Sequence, residues 1–201
     1  MSQEHYFSAS PDSQAALKDI TFRVADREFS VQAASGTFSA SKLDPGTSIL
    51  LSKYEEFPSE GNVLDLGCGW GPISLAIASF SPQTKVWALD VNTRSLELAK
   101  KNAAKLGLGN IEVVTADQIP DDLRFDAIWS NPPIRIGKAA LHELIRNWLP
   151  RLESGGRAML VVQKQLGADS LLTWIQTEFP ELTASRFSTD KGFRVLEITR
   201  D

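Results

Sequence analysis

VLDLGCGWGP, residues 63–72, decides how this chain is read. Val63, Leu64 and Leu66 give a short apolar strand pattern, glycines follow at 67, 69 and 71, and 73–80 has the pattern of a helix. A strand that turns into a helix through glycines lets its backbone approach a ligand closely, because no Cβ stands in the way. Two features narrow that ligand. The dinucleotide fingerprint needs its third glycine one position further on, where this chain has Pro72, so a nicotinamide cofactor is poorly supported. No Lys-Ser or Lys-Thr follows the loop, which removes a P-loop. Asp65, just ahead of the glycines, repels a pyrophosphate but suits an amino group or a sulfonium cation. Cys68, with no histidine partner evident, reads as a packing residue rather than a nucleophile. Trp70 reads equally as ligand cover or as core.

Downstream of the loop, strands alternate with helices. Strand patterns fall at 85–89, 111–114, 125–129 and 157–162, and helix patterns at 93–106, 141–152 and 169–178. Alternation of this kind implies right-handed βαβ units and a mainly parallel sheet. Two last strands, 183–187 and 194–199, are joined by only 188–192, which permits an antiparallel pair but no crossover helix. Upstream, 20–24 and 28–31 read as a hairpin, DPGT at 44–47 as punctuation, and 48–54 as a short helix. The expected fold is therefore α/β: a doubly wound, mainly parallel, seven-stranded sheet with an antiparallel C-terminal strand pair. One domain is expected over 1–201, with 1–57 as a hairpin and helix extension and 58–201 as the catalytic core.

Three acidic residues end successive strands on one rim. Asp65 precedes the loop. Asp90 lies roughly 20 residues beyond it, where a carboxylate accepts from ribose hydroxyls. Asp117 is placed to accept from an adenine amino group. On the same rim stands SNPPI, 130–134. Alone, consecutive prolines are a rigid strand terminator. Beside a cofactor loop they suggest chemistry. The lone pair of a nucleobase amine is delocalised into the ring, so the amine is a poor nucleophile. The Asn131 side-chain oxygen and the Pro132 carbonyl can each accept one N–H and turn that lone pair towards a methyl donor, with little reorganisation. No dedicated general base is required.

A net charge of −4 and a pI near 5.3 argue against a surface coated in basic residues, although a small basic patch can still hold a few phosphates. Arg135 and Lys138 are the first candidates for such a patch, with Lys164, Arg186, Lys191 and Arg194 as extensions. His5 and His142 show no metal-ligand spacing, so no metal is expected. A single cysteine, a polar N-terminus and the lack of an apolar run of roughly 20 residues lead us to expect a cytoplasmic protein with no membrane association.

VLDLGCGWGP (63–72), LDVN (89–92) and TADQ (115–118) resemble the successive motifs of class I S-adenosylmethionine methyltransferases, which have a Rossmann-like fold. NPPI resembles the (Asn/Asp)-Pro-Pro-(aromatic) motif of enzymes that methylate planar amino groups. NPPIRIGK (131–138), HYFS (5–8), GTFSASKLDPGTSILL (36–51) and KGFRVL (191–196) are similar to RsmC-type methyltransferases of the methyltransferase small family, which modify guanine N2 in 16S ribosomal RNA. The resemblance covers nearly the whole chain. It implies S-adenosyl-L-methionine as cofactor, held by Phe38, Asp65, Gly67, Cys68, Gly69, Gly71, Asp90, Val91, Asn92, Asp117, Gln118 and Asn131. It implies Asn131 and Pro132 as catalytic residues, and Pro133, Ile134, Arg135, Lys138 and Phe193 as contacts to an RNA substrate. Ile134 departs from the pattern, since many relatives carry an aromatic ring there, and Phe193 or Phe38 is the expected substitute. The duplicated N-terminal domain of longer relatives is not expected. Two alternatives stay open: a methyltransferase for protein glutamine amides, and a non-catalytic cofactor-binding module.

Overall fold

Alternating apolar residues build the first described element, a hairpin of β1 (Leu17–Val24) and β2 (Arg27–Ala34) that turns at Ala25 and Asp26. The computed structural model describes residues 16–37, 39 and 41–201; HYFS at 5–8, His5 among it, and Phe38 lie outside the described residues. α1 (Pro45–Leu51) comes next and begins earlier than the expected 48–54. The DPGT turn is itself a helix start: Asp44 accepts the Thr47 N–H as N-cap, and Pro45 takes the first helical position, where no amide hydrogen is needed.

The alternating region then runs as expected. It comprises β3 (Glu60–Leu66), α2 (Pro72–Phe80), β4 (Gln83–Leu89), α3 (Thr93–Lys105), β5 (Ile111–Val114), β6 (Phe125–Ser130), α4 (Lys138–Trp148), β7 (Leu152–Gln163), α5 (Ala168–Glu178), β8 (Leu182–Asp190) and β9 (Phe193–Arg200). α4 ends sooner than its apolar pattern predicts. Pro150 lies in a 3-10 turn, Leu149–Arg151, and the chain enters β7 at Leu152, five residues before the predicted strand at 157. Seven strands form one sheet in the order β5-β4-β3-β6-β7-β9-β8. β5, β4, β3, β6 and β7 are mutually parallel, and β9 runs antiparallel between β7 and β8. The hairpin forms a separate two-stranded sheet.

Alternate residues of the central strands feed two cores. Val63, Ala127, Trp129, Met159 and Val161 face the core shared with α1, α2 and the hairpin. Leu64, Leu66, Ile128, Ala158 and Leu160 face the core shared with α4 and α5. Trp70 belongs to the first core, edge-on to Phe22 at 5.7 Å. The side chain of Asn102 ties α3 to both partners of this core, donating to the carbonyls of Gln32 and Trp70 and accepting the Gln32 N–H. Strand order reverses between β3 and β6, and such a switch point opens a crevice at the carboxyl ends of the strands. The glycine loop and the Asn-Pro-Pro turn both stand there. No helix among the described residues is long and apolar enough to cross a membrane.

Candidate active site

Gly67, Gly69 and Gly71 all adopt positive φ, at 80°, 57° and 95°. Their order lets the chain leave β3, turn tightly and enter α2. The Gly67 and Cys68 amides both donate to the Leu89 carbonyl, closing the loop over the end of β4. Asp90 fastens it further: one carboxylate oxygen accepts the Gly69 N–H at 2.8 Å and the other the Asn92 N–H at 2.9 Å. Burial raises the Asp90 pKa against the pull of these bonds. A Cβ at Gly67 would lie 3.9 Å from the Pro133 ring, so loop and proline turn face each other closely. At Gly71 a Cβ would come within 3.3 Å of the Ala99 side chain, which sets the approach of α2 to α3.

Asp65 is displaced from its expected role. It is fully buried and does not line the cleft; its Oδ2 accepts the Ser74 amide and hydroxyl at 2.9 and 2.5 Å, pinning the first turn of α2. The strand-end position that suggested a ligand contact turns the side chain inward, under the helix it caps. Its Oδ1 is buried with no hydrogen-bond partner. Desolvation raises its pKa from 3.8 to about 7 despite the bonds from Ser74. Between those two values the folded protein binds more protons than the unfolded chain, so this group's stabilising contribution is complete below pH 3.8 and is lost as pH rises towards 7. Asp65→Asn removes the charge and keeps an acceptor for Ser74. The variant should gain on the order of 2–4 kcal/mol on the wild type between acidic and neutral pH. Urea unfolding across that range measures the gap, and parallel pH profiles would overturn the assignment.

β6 ends at Ser130, whose hydroxyl donates to the Leu66 carbonyl at 2.6 Å and locks the two strand ends together. The turn that follows is an inverse γ-turn centred on Pro133 (φ −75°, ψ 74°), closed by the Ile134 N–H donating to the Pro132 carbonyl at 2.8 Å. The expectation of two unengaged acceptors is thereby corrected. One lone pair of Pro132 is already used within the turn, and the second is left over. Asn131 donates its amide hydrogens to Asp44 Oδ2 at 2.7 Å and Thr47 Oγ1 at 2.9 Å. A carboxylate accepts only, so the amide nitrogen faces Asp44 and Asn131 Oδ1 faces away from it. Asn131 lines the cleft, and Oδ1 has no hydrogen-bond partner among the described residues.

This cleft has a volume of about 430 Å³. Gly67, Asp90, the 60% exposed Val91, Ser95 and Ala116 line it on the side of β3, β4 and β5. Pro132, Pro133, Ile134, Arg135, Trp148 and Phe193 line it on the side of β6 and β9, with Asp44 and Asn131 at the join. A smaller cavity under the glycine loop shares Asp44, Gly67 and Asn131 and adds Thr47, Cys68 and Gly69. Sequence reasoning missed Asp44, Thr47, Leu66, Leu89, Ser95, Ala116, Leu144, Asn147, Trp148, Gln163 and Leu166. Only Asp44 and Thr47 carried a local signal, the Asp-Pro-x-Thr spacing of a helix cap.

Other expected residues are not at the cleft. Asn92 is buried and spent on structure: it caps α3 by accepting the Arg94 and Ser95 amides, and it donates to the Gly36 carbonyl. Asp117 and Gln118 are exposed and bond to Thr115, while their neighbour Ala116 reaches the cleft. The Cys68 side chain packs with Ala88 and Ala99, and burial pushes its thiol pKa well up. Lys138 is exposed at the start of α4 and does not line the cleft. Arg194 leaves the basic patch altogether: it is buried and paired with Asp169. No cluster of three or more His, Cys, Asp or Glu suited to a metal ion occurs among the described residues.

The family model of the methyltransferase small domain matches residues 28–197. The chain belongs to the methyltransferase small family. The chain is 32% identical over 200 residues to the uncharacterized protein YbxB of Bacillus subtilis (strain 168), covering 98% of each. It is 36% identical over 149 residues to the ribosomal RNA small subunit methyltransferase C of Yersinia pestis (strain Pestoides F). That match takes in 71% of this chain and 42% of the relative, so the chain spans about two-fifths of that relative's length. Among solved structures, it is similar to the T. thermophilus 16S rRNA N2 G1207 methyltransferase RsmC, in complex with AdoMet and guanosine. The TM-score is 0.80 at 24% identity, over 95% of this chain and 52% of that one. The methyltransferase small fold thus extends across both sides of the cleft.

Proposed function

We propose that this methyltransferase transfers a methyl group from S-adenosylmethionine to an exocyclic amine, guanine N2 of small-subunit ribosomal RNA. The observation that carries the reading is the Asn131 amide, whose hydrogens are held by Asp44 and Thr47 and whose oxygen is left for a substrate. The named relatives that act on 16S ribosomal RNA support the substrate class.

The cleft fits the cofactor. Gly67 has no side chain at the point where the loop meets Pro133, the Asp90 carboxylate lines the cleft as an acceptor for ribose hydroxyls, and Val91 offers an apolar surface for adenine. Bound there, S-adenosylmethionine supplies an electrophilic methyl on a sulfonium sulfur. The protein's part is orientation. Asn131 Oδ1 and the remaining Pro132 lone pair accept the two amine hydrogens, which directs the nitrogen lone pair along the line of displacement. Gly67, Asp90 and Val91 would hold the cofactor, whose methyl would pass to the amine nitrogen with the thioether sulfur as leaving group, and the surplus amine proton would go to solvent.

Phe193 supplies the ring that Ile134 lacks. It lines the cleft and rests on Gly46, where a Cβ would come within 3.0 Å of the ring. Phe193→Ala should raise KM for RNA by about 5- to 100-fold with a smaller change in kcat, from the loss of one base–aromatic stack. Phe193→Tyr should restore KM in steady-state assays. An unchanged KM in the alanine variant would place the base elsewhere.

Mass spectrometry of ribosomal RNA nucleosides from cells with and without the gene tests the reaction. Loss of one N2-methylguanosine from the small-subunit RNA is expected. Identical nucleosides, with labelled methyl groups appearing in protein, would overturn the RNA reading in favour of a glutamine amide.

A further inference from the structure

We infer that Asp44 and Thr47 are positioning residues for methyl transfer, acting through the Asn131 amide; the inference rests on the reading of Asn131 given above. Asp44 Oδ2 has two duties. It accepts the Thr47 N–H at 3.0 Å as the N-cap of α1 and an Asn131 amide hydrogen at 2.7 Å. The buried Thr47 hydroxyl takes the other amide hydrogen at 2.9 Å. Turning the Asn131 amide over would set its oxygen against a carboxylate, acceptor to acceptor, so the anion selects one orientation. A hydrogen bond to an anion also draws the amide towards its charge-separated resonance form, which leaves more negative charge on Oδ1. The acceptor that faces the substrate is strengthened by the one behind it.

The turn is rigid because Pro45 fixes its backbone and α1 is packed into the core through Ile49, Leu50 and Leu51. Its third residue, Gly46, supports the Phe193 ring. One short turn thus sets both the amide that receives the amine and the ring beside it.

The test is single-turnover methyl transfer to small-subunit ribosomal RNA by the wild type, Asp44→Ala, Asp44→Asn, Asn131→Ala and the Asp44→Ala/Asn131→Ala pair. Asp44→Ala should slow transfer by about 10- to 100-fold, the range for losing a hydrogen bond to a charged group. Asp44→Asn, which keeps an acceptor but loses the charge, should recover only part of that rate. On the Asn131→Ala background the loss should vanish, since the residue acts through that amide. A loss that multiplies on both backgrounds would mean that Asp44 serves only the fold, and would overturn the inference. Wild-type inactivity on RNA would instead refute the proposed substrate. The clamp is then read without turnover, from the ¹H–¹⁵N signals of the Asn131 side chain, identified by their absence in Asn131→Ala. Downfield, slowly exchanging signals that collapse in Asp44→Ala support it, and signals unmoved by that substitution overturn it.

Discussion

Asn131→Ala is expected to slow methyl transfer by about 100- to 1,000-fold, the cost of removing one preorganised group aimed at the reacting centre. In the proposed reaction, the truncation removes the oxygen assigned to an amine hydrogen, while the Pro132 carbonyl, with one lone pair used in the turn, is left as the neighbouring acceptor. Transfer would then depend on the fraction of time in which the amine happens to face the methyl group. Folding should be little affected, because half-buried Asp44 retains its bond from the Thr47 amide and can be hydrated where the Asn131 amide stood. Cofactor affinity should stay close to wild type, since Asp90 and the glycine loop are untouched. Single-turnover rates alongside calorimetric titration with S-adenosylhomocysteine measure both. Wild-type turnover in this variant would remove Asn131 from the reaction.

Asp90→Ala should weaken cofactor binding by about 10- to 150-fold, the equivalent of losing hydrogen bonds between a charged carboxylate and ribose hydroxyls. Two effects combine. In the proposed binding mode the ribose loses its acceptors, and the Gly69 and Asn92 amides lose the carboxylate that draws the loop to the end of β4. Asp90→Asn separates them, because an amide offers one oxygen where the carboxylate offers two. Its affinity should fall between those of the wild type and the alanine variant. The raised pKa of Asp90 implies in addition that affinity falls as pH is lowered through that pKa, since a protonated carboxyl accepts more weakly. Calorimetry at two pH values checks all three points. Equal affinities across the series would locate the ribose elsewhere.

Much of the fold was legible because its signals are local. The strand–glycine–helix run at 63–80, the alternation through 178 and the short 188–192 connection required the parallel sheet and its antiparallel end. Boundaries were less legible where a proline decided them. Pro45 starts α1 earlier than its apolar residues suggest, and the Pro150 turn precedes the early entry into β7. The lining of the cleft was legible where a residue works through its backbone or its place at a strand end: Gly67, Asp90, Val91, Asn131 and Pro132 all line it. It was misread where one chemical type serves two purposes. Asp65 and Asn92 have the polarity of ligand contacts, but they spend it on the first turns of α2 and α3.

What the sequence by itself determined was the order of strands and helices, the glycine turn and the proline turn, because backbone conformation is dictated by neighbouring residues. Only the tertiary structure decided which polar atoms are left for a ligand. Asp44 and Asn131 are 87 residues apart in the chain, yet 2.7 Å separates carboxylate from amide. A hydrogen bond over such a span depends on how α1 packs against the sheet, and no local pattern encodes it.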